Sequence, residues 1–183
     1  MWGEYWLFAH NGHLGGFQPE EGQYYRPVGS TDSERAFCFM LEQLRSRFEH
    51  KPPVGKLFAE VATLTAQIRH HGLFNFMLSN GDILFAHAST LLHYIIRQAP
   101  FGEAHLIDND VAVDFAAVTT PNDRVAVIAT QPLTANETWT QLAVNELVAF
   151  RNGAIILRDC PDNPRYLSQQ EGLAIARAVG VAA

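Results

Sequence analysis

Apolar residues recur every three or four positions in the first half of the chain, which is the period of amphipathic helices. The pattern predicts one helix from Thr31 to near His50 and a second from about Lys56 to His71. Gly72 directly follows the second helix and is a typical C-terminal stop. We therefore expect two helices that each bury one face.

The start of the first helix has the sequence of a capping box, Thr31-Asp32-Ser33-Glu34. In such a box the Thr31 hydroxyl accepts a hydrogen bond from the amide of Glu34. The Glu34 side chain is expected to accept one from the amide of Thr31 in return.

The rest of the chain consists mainly of short apolar runs separated by turn residues, a pattern typical of antiparallel strands. The Asn-Gly pairs at 80–81 and 152–153 each lie between two such runs, which predicts two hairpins. Ser168 is expected to cap a last short helix that ends near Ala178. The predicted strands are Tyr5–His10, Leu73–Leu78, Ile83–Ala88, Leu92–Arg97, Ala104–Ile107, Val111–Phe115, Arg124–Thr130, Leu147–Arg151 and Ala154–Arg158. For Leu92–Arg97 a helical turn is the alternative.

Most of these runs are apolar at consecutive positions, which indicates sheets covered on both faces. In the run Arg124–Thr130, the residues Val125, Val127 and Ile128 predict a buried strand. Residues 108–110 predict a turn. Two helices beside a series of hairpins predict an α+β fold with antiparallel sheets.

The first ten residues carry an unusual aromatic load that includes Trp2, Tyr5, Trp6 and Phe8. Chain termini are commonly polar and poorly ordered. Either the chain begins inside a domain, or an N-terminal strand is tied into a sheet; the aromatic load alone does not choose between the two.

Composition limits the classes of protein to be considered. The 183 residues fit one domain, and 48% of them are apolar, enough for a sizeable core. A net charge of −6, with no Lys/Arg run, argues against a nucleic-acid partner. No apolar stretch approaches the roughly 20 residues of a membrane span, so no membrane partner is expected. The only cysteines, Cys38 and Cys160, fit a reducing compartment and predict a cytoplasmic protein.

The first candidate for chemistry is the pair Asn11-Gly12, at the end of the first predicted strand. An Asn side-chain amide and the N–H of the next Gly can point the same way and form an oxyanion hole. A tight turn is the alternative, because Asn-Gly is also a very common turn pair.

The second candidate is Asp32, 21 residues after Asn11. An acid in the first turn of a helix is stabilised by the helix dipole and needs no further function. As a functional residue, Asp32 would offer a carboxylate to an ammonium group. The eight histidines show no metal-ligand spacing, and neither cysteine has a catalytic pattern, so no metal and no cofactor are assigned.

Two motifs together resemble those of the class II glutamine amidotransferases, which use an N-terminal nucleophile: Phe8-Ala9-His10-Asn11-Gly12 and Gly29-Ser30-Thr31-Asp32-Ser33-Glu34. Their order and separation are also similar to that family's. Further segments resemble its small stand-alone bacterial branch, namely Tyr25–Gly29, Gly72–Phe76, Asn80–Asp82 and Ala129–Thr134. The resemblance covers essentially all of residues 1–183, which are therefore expected to be one amidotransferase domain.

The resemblance implies a four-layer αββα sandwich of the N-terminal-nucleophile hydrolase type. It also implies that Asn11 and Gly12 form the oxyanion hole and that Asp32 binds the α-amino group of glutamine. The implied reaction releases glutamate and ammonia through a Cys thioester.

The sequence departs from the family pattern at its beginning. The family nucleophile is a Cys at the mature N-terminus, whereas this chain starts Met1-Trp2. The Arg and Thr-His positions that bind the substrate carboxylate in the family have no counterpart either. We therefore expect a C-terminal portion of such a protein, incomplete at its N-terminus and inactive alone.

The expected function of the intact protein is glutaminase-type hydrolysis, with glutamine as substrate and a separate synthase as possible ammonia acceptor. Two alternatives stay open: a non-catalytic amino-acid-binding domain and a hydrolase of γ-glutamyl amides.

Overall fold

The computed structural model describes residues 1–107, 112–115 and 119–180. The helices are α1 (Asp32–Arg47), α2 (Val54–Ile68) and α3 (Gln169–Ala178), and a 3₁₀ turn, Arg69–His71, follows α2. The strands are β1 (Leu7–Leu14), β2 (Gly72–Ser79), β3 (Leu84–Ala88), β4 (His93–Gln98), β5 (Glu103–His105), β6 (Ala112–Asp114), β7 (Arg124–Ala129), β8 (Thr140–Gln141), β9 (Glu146–Arg151) and β10 (Ala154–Asp159).

Five antiparallel strands form the central sheet, in the order β1-β2-β3-β9-β10. The apolar faces of α1 and α2 pack on one side of it. Their buried side chains, such as Met40 and Leu64, form one core with Phe74, Phe76 and Phe85 of the sheet. This packing explains why both helices show apolar residues at helical spacing.

The other face of the central sheet packs against a three-stranded sheet of order β7-β4-β8. Ala86, Val148 and Phe150 of the central sheet share a second core with Leu92 and Tyr94. Neighbouring residues of one strand thus belong to different cores, which confirms an α+β fold whose central sheet is covered on both faces. These contacts do not assign a fourth, helical layer.

Both Asn-Gly hairpins are confirmed, joining β2 to β3 and β9 to β10. Ser168 caps α3 with a reciprocal capping box to Glu171, also as expected. Strands β5 and β6 form a separate two-stranded sheet, and the turn predicted at 108–110 lies outside the described residues.

The first strand does not end at Asn11-Gly12. Strand β1 continues to Leu14 and pairs with β2 along its whole length, so that Asn11 lies opposite Asn75 and Gly12 opposite Phe74. The turn interpretation of this pair is therefore wrong. Pairing with a strand some 60 residues away outweighs the local preference of Asn-Gly for turns.

Two further expectations are wrong in detail. Thr31 accepts from the amide of Glu34 as predicted, but the Glu34 carboxylate binds the amides of Val28 and Gly29 and so holds the preceding loop. Strand β7 is only partly buried, with Val125 46% exposed, because it is an edge strand of the small sheet.

Candidate functional site

The backbone of β1 presents polar groups at an edge of the central sheet. Leu14 donates its N–H to Asp32 Oδ2 at 2.7 Å, and its carbonyl accepts from Phe17, so both groups point away from β2. Backbone groups alternate sides along an antiparallel strand, so those of Gly12, two residues earlier, point the same way.

The hydrogen bonds of Phe74, which lies opposite Gly12, support this direction of the Gly12 backbone groups. Phe74 donates its N–H to Ser89 Oγ at 2.9 Å, and its carbonyl accepts from His87 Nδ1 at 2.7 Å. The polar groups of Phe74 therefore point away from β1, as expected when it and Gly12 form a non-hydrogen-bonded pair. Because no described strand lies beyond β1, the Gly12 N–H faces an open edge.

Only glycine fits at position 12. The ring of His10 reaches across this position and donates from Nε2 to the carbonyl of Leu73 at 2.9 Å. A Cβ on residue 12 would lie 2.7 Å from His10 Nε2 and would collide with the Leu73 carbonyl oxygen. The glycine lets a side chain and a neighbouring strand occupy the space above the backbone.

Asn11 lies on the face of β1 that is turned toward the three-stranded sheet. It is exposed, and it lines an apolar cavity of about 190 Å³ together with Met77, Leu92 and Ile128. Its backbone is fixed by Asn75, whose side-chain amide donates to the Asn11 carbonyl at 3.0 Å.

Asn11 and Gly12 also share a smaller cavity of about 150 Å³. Its walls include Thr90 after β3, Thr130 after β7 and Gly172 of α3. The two predicted oxyanion-hole residues thus line one concave space where a small polar group fits.

Asp32 lies at the same edge of the sheet as the Gly12 N–H but does not line that cavity. Its second oxygen, Oδ1, accepts from the N–H of Ser33 at 2.8 Å, and His13 Nδ1 is 3.7 Å from Oδ2. Since Leu14 lies two residues beyond Gly12, the carboxylate is displaced along the edge by about 7 Å from the Gly12 N–H.

Burial acts to raise the pKa of Asp32. The N–H donors of Leu14 and Ser33 act against burial, and the net result is a pKa below its ordinary value. The nearby side chains of His10 and His13 add to the lowering. Asp32 is therefore an anion at neutral pH that both joins α1 to β1 and can attract an ammonium group.

With this geometry in place, the comparison with known proteins is informative. The family model for class-II glutamine amidotransferases matches residues 1–173. The chain belongs to this family.

Two curated relatives of this chain carry the same family name. A provisionally named glutamine amidotransferase of Haemophilus influenzae is 46% identical over 153 residues, which are 84% of this chain and 52% of its own length. YafJ of Escherichia coli, also provisionally named a glutamine amidotransferase, is 49% identical over 151 residues, covering 82% of this chain and 59% of its own. The chain thus spans about half to three-fifths of the length of these curated relatives.

A solved structure has the same fold. The crystal structure of a provisionally named glutamine amidotransferase from Pseudomonas aeruginosa PA01 aligns with a TM-score of 0.79 at 48% identity. The alignment covers 86% of this chain and 62% of that chain.

Sequence reasoning missed two residues that hold the backbone around Asn11 and Gly12 in place. Buried Asn75 accepts at Oδ1 from the amides of Ser89 and Thr90 while its amide group binds the Asn11 carbonyl. The sequence did contain a sign of this role, because Asn75 is a polar residue inside the apolar run Leu73–Leu78. A buried side-chain amide needs hydrogen-bond partners.

The second missed residue is His10. Its Nε2 donates to a carbonyl, so in the neutral ring Nδ1 accepts from the Ser33 hydroxyl at 2.8 Å. His10 therefore ties β1 to the first turn of α1, next to both Gly12 and Asp32. Its place directly before Asn11 gave no sign of this contact.

The remaining candidates for chemistry stay apart from this site. Both cysteines are free, Cys38 half-buried and Cys160 exposed. Within residues 1–107, 112–115 and 119–180, no cluster of three or more His, Cys, Asp or Glu could hold a metal ion. In the same part of the chain, no helix is both long enough and apolar enough to cross a membrane.

Proposed function

We propose that this domain binds glutamine and takes part in hydrolysis of its side-chain amide to glutamate and ammonia. In this proposal Asn11 and the Gly12 N–H stabilise the oxyanion, and Asp32 binds the α-amino group. The observation that carries it is the Leu14–Asp32 hydrogen bond at the open edge of β1. Since Leu14 is two residues beyond Gly12, the strand rise puts the carboxylate about 7 Å along this edge from the Gly12 N–H.

The spacing suits glutamine because its α-amino nitrogen and its carboxamide carbon are separated by four bonds. One molecule can therefore place the ammonium near Asp32 and the carboxamide near Gly12. The lowered pKa of Asp32 supports this role, since the carboxylate is charged when the ammonium arrives.

The chemical step needs a nucleophile. In the proposed reaction a Cys thiolate attacks the carboxamide carbon, with the α-amino group of that Cys as base. Asn11 and Gly12 hold the tetrahedral oxyanion until the C–N bond breaks. The leaving nitrogen takes the proton from the α-amino group of the Cys and departs as ammonia. Water then hydrolyses the thioester to glutamate and restores the thiol.

We propose that a longer form of the protein supplies the Cys. The greater length of the relatives supports this proposal. The four-layer αββα arrangement, the cytoplasmic location and a separate ammonia-accepting synthase belong to the same proposal.

The test compares the 183-residue chain with a longer form that begins Met-Cys. We expect no release of glutamate by the short chain, because loss of the nucleophile costs on the order of 10⁶ in rate. We expect hydrolysis by the long form, reduced about 10²–10³-fold in kcat by Asn11→Ala. Robust hydrolysis of glutamine by the short chain would contradict the proposal.

Two other outcomes distinguish the alternatives. Saturable binding of glutamine without hydrolysis, even in the form that begins Met-Cys, would favour a non-catalytic amino-acid-binding domain. Faster cleavage of γ-glutamyl peptides than of glutamine would favour a γ-glutamyl amide hydrolase.

A further inference from the structure

A second cavity lies on the helix-covered side of the central sheet, apart from the proposed glutamine site at Asn11, Gly12 and Asp32. It measures about 290 Å³ and lies between the C-terminal half of α2 and the strands β3, β9 and β10. Its polar lining comes from Thr65, Arg69, His87, Asn145 and Asp159. The proposed function makes no use of any of these five residues.

The inner wall of this cavity includes His87, which carries an unused hydrogen-bond acceptor. His87 is 1% exposed, and its Nδ1 lies 2.7 Å from the carbonyl of Phe74. A carbonyl only accepts, so Nδ1 carries the proton and Nε2 keeps a lone pair. Among the described residues, His87 Nε2 has no hydrogen-bond partner.

The protonation state of His87 is well defined. Burial lowers its pKa to about 4, and the nearby charge of Arg69 acts in the same direction. The ring is therefore neutral at pH 7, and Nε2 can only accept. A buried acceptor without a partner is costly, which indicates that a donor from outside the chain belongs there.

Two opposite charges line the same cavity without neutralising each other. Arg69 is half-buried and Asp159 is exposed at the rim. Within the described part of the chain, neither side chain forms a hydrogen bond or an ion pair. A guanidinium is suited to a carboxylate, and an aspartate with a neutral imidazole is suited to N–H donors.

The rest of the wall is apolar and small. Ala62 and Ala66 of α2, Leu147 of β9 and Pro161 complete the lining. These side chains leave room for a short aliphatic group, and the volume is near the lower end for small-molecule sites.

We propose that this cavity is a second ligand site, which takes a zwitterionic α-amino acid with a small apolar side chain. The ligand carboxylate binds Arg69, its ammonium group donates to His87 Nε2 and Asp159, and its side chain packs on the alanines of α2. Glutamine bound at the β1 edge and an amino acid bound here occupy separate parts of the central sheet, since this cavity lies against β3, β9 and β10.

The experiment follows the imidazole nitrogens of the full 183-residue chain by long-range ¹H–¹⁵N NMR. The probes are L-alanine, propionate, which lacks the ammonium group, and ethylamine, which lacks the carboxylate. We expect a saturable shift of His87 Nε2 with L-alanine and a clearly weaker response to the other two.

Variants connect the shift to this cavity. Arg69→Gln and Asp159→Asn remove charges that no described side chain pairs with, so both are expected to fold. Each should weaken the apparent affinity for L-alanine roughly tenfold. Lys56→Gln, the same charge change on an exposed position of α2, and Asp32→Asn should leave it unchanged.

The proposal is overturned if L-alanine produces no saturable shift of His87 Nε2. That result would mean that only water occupies the cavity. It is equally overturned if Arg69→Gln and Asp159→Asn bind L-alanine as tightly as the unaltered chain. Neither result depends on glutamine hydrolysis, so the proposed function would be untouched.

Discussion

The carboxylate of Asp32 accepts the N–H of Leu14 at 2.7 Å and so joins the first turn of α1 to the open edge of β1. The same carboxylate accepts from Ser33 within its own helix. From the sequence, the helix dipole was enough to explain Asp32. In the structure, Asp32 also makes a tertiary contact. Structural and substrate-binding roles are compatible here, because both need an ionised carboxylate at this edge.

Asp32→Asn tests the structural role. The amide keeps the size of the side chain but loses the charge, and we expect a loss of about 1–3 kcal/mol of unfolding free energy at pH 7. Since the folded-state pKa is lowered, the charge stabilises above the unfolded pKa, and this stability is lost as pH falls through the folded pKa. Urea unfolding measures the change.

Asp162→Asn, an exposed position, is the matched control and should unfold like the unaltered chain. Equal stability of the Asp32→Asn variant and the unaltered chain would show that the Leu14 contact contributes nothing.

Gly12→Ala is expected to disrupt the packing of β1 against β2 around residue 12. The new methyl group would collide with the Leu73 carbonyl and crowd His10 Nε2, so β1 must shift. We expect a loss of about 1–3 kcal/mol or more, as for other overpacked sites, measured by thermal or urea unfolding.

Gly55→Ala provides the comparison for Gly12→Ala. Residue 55 lies in α2 with nothing within 4 Å of the added methyl group. A gain of about 0.5–1 kcal/mol is expected there, because Ala favours helix over Gly. If both variants gained stability, the crowding described at position 12 would be absent.

His87 predicts a pH-dependent stability. Its pKa is about 4 in the folded protein and near its ordinary value of 6.5 in the unfolded chain. The contribution of neutral His87 to the unfolding free energy is therefore complete above pH 6.5. It falls at lower pH because the unfolded chain binds a proton at His87 and the folded protein does not. The expected loss is on the order of 2 kcal/mol between pH 7 and pH 5.

Unfolding curves of a His87→Gln variant at several pH values isolate this contribution. The variant should lose most of the slope between pH 7 and pH 5, whereas His50→Gln, at an exposed position, should keep it. Parallel slopes in the His87→Gln variant and the unaltered chain would refute the assignment.

Glu42 is predicted to hold the long loop that precedes α1. This buried carboxylate accepts from the amides of Gln23, Tyr24 and Tyr25 at 2.8–2.9 Å. In Glu42→Gln one oxygen becomes an NH₂ group, which faces N–H donors. We expect a loss of about 2 kcal/mol and faster hydrogen exchange of those three amides.

Glu49→Gln controls for the charge change made at Glu42, since residue 49 is exposed. It should leave both stability and exchange rates unaltered. Unchanged exchange in the Glu42→Gln variant would mean that other contacts hold the loop.

Much of the fold could be predicted because its elements are locally encoded. Apolar spacing placed α1 and α2, the Asn-Gly pairs placed two hairpins, and Ser168 placed the start of α3. The ends were less accurate. The second helix was expected to reach His71, but its last three residues form a 3₁₀ turn.

The errors have a common physical origin in contacts between distant residues. Pairing with β2 keeps Asn11-Gly12 extended, and the loop amides of Val28 and Gly29 take the carboxylate expected to cap α1. The family motifs drew attention to Asn11, Gly12 and Asp32. The unpartnered nitrogen of His87 depends on how β3 packs against α2, and no local pattern encodes that packing.

In the proposed function, the Gly12 N–H and Asp32 receive the two ends of one glutamine molecule. Titration of the ¹⁵N-labelled chain with L-glutamine, followed at the Gly12 backbone amide and the Asn11 side-chain amide, tests it directly. Butyramide, which has the carboxamide but no α-amino or carboxyl group, is the matched ligand.

We predict that L-glutamine shifts both resonances saturably, and that Asp32→Asn weakens this response while leaving the response to butyramide unchanged. Saturable glutamine binding that shifts neither resonance would contradict the proposed glutamine site. So would glutamine binding that the Asp32→Asn substitution does not weaken.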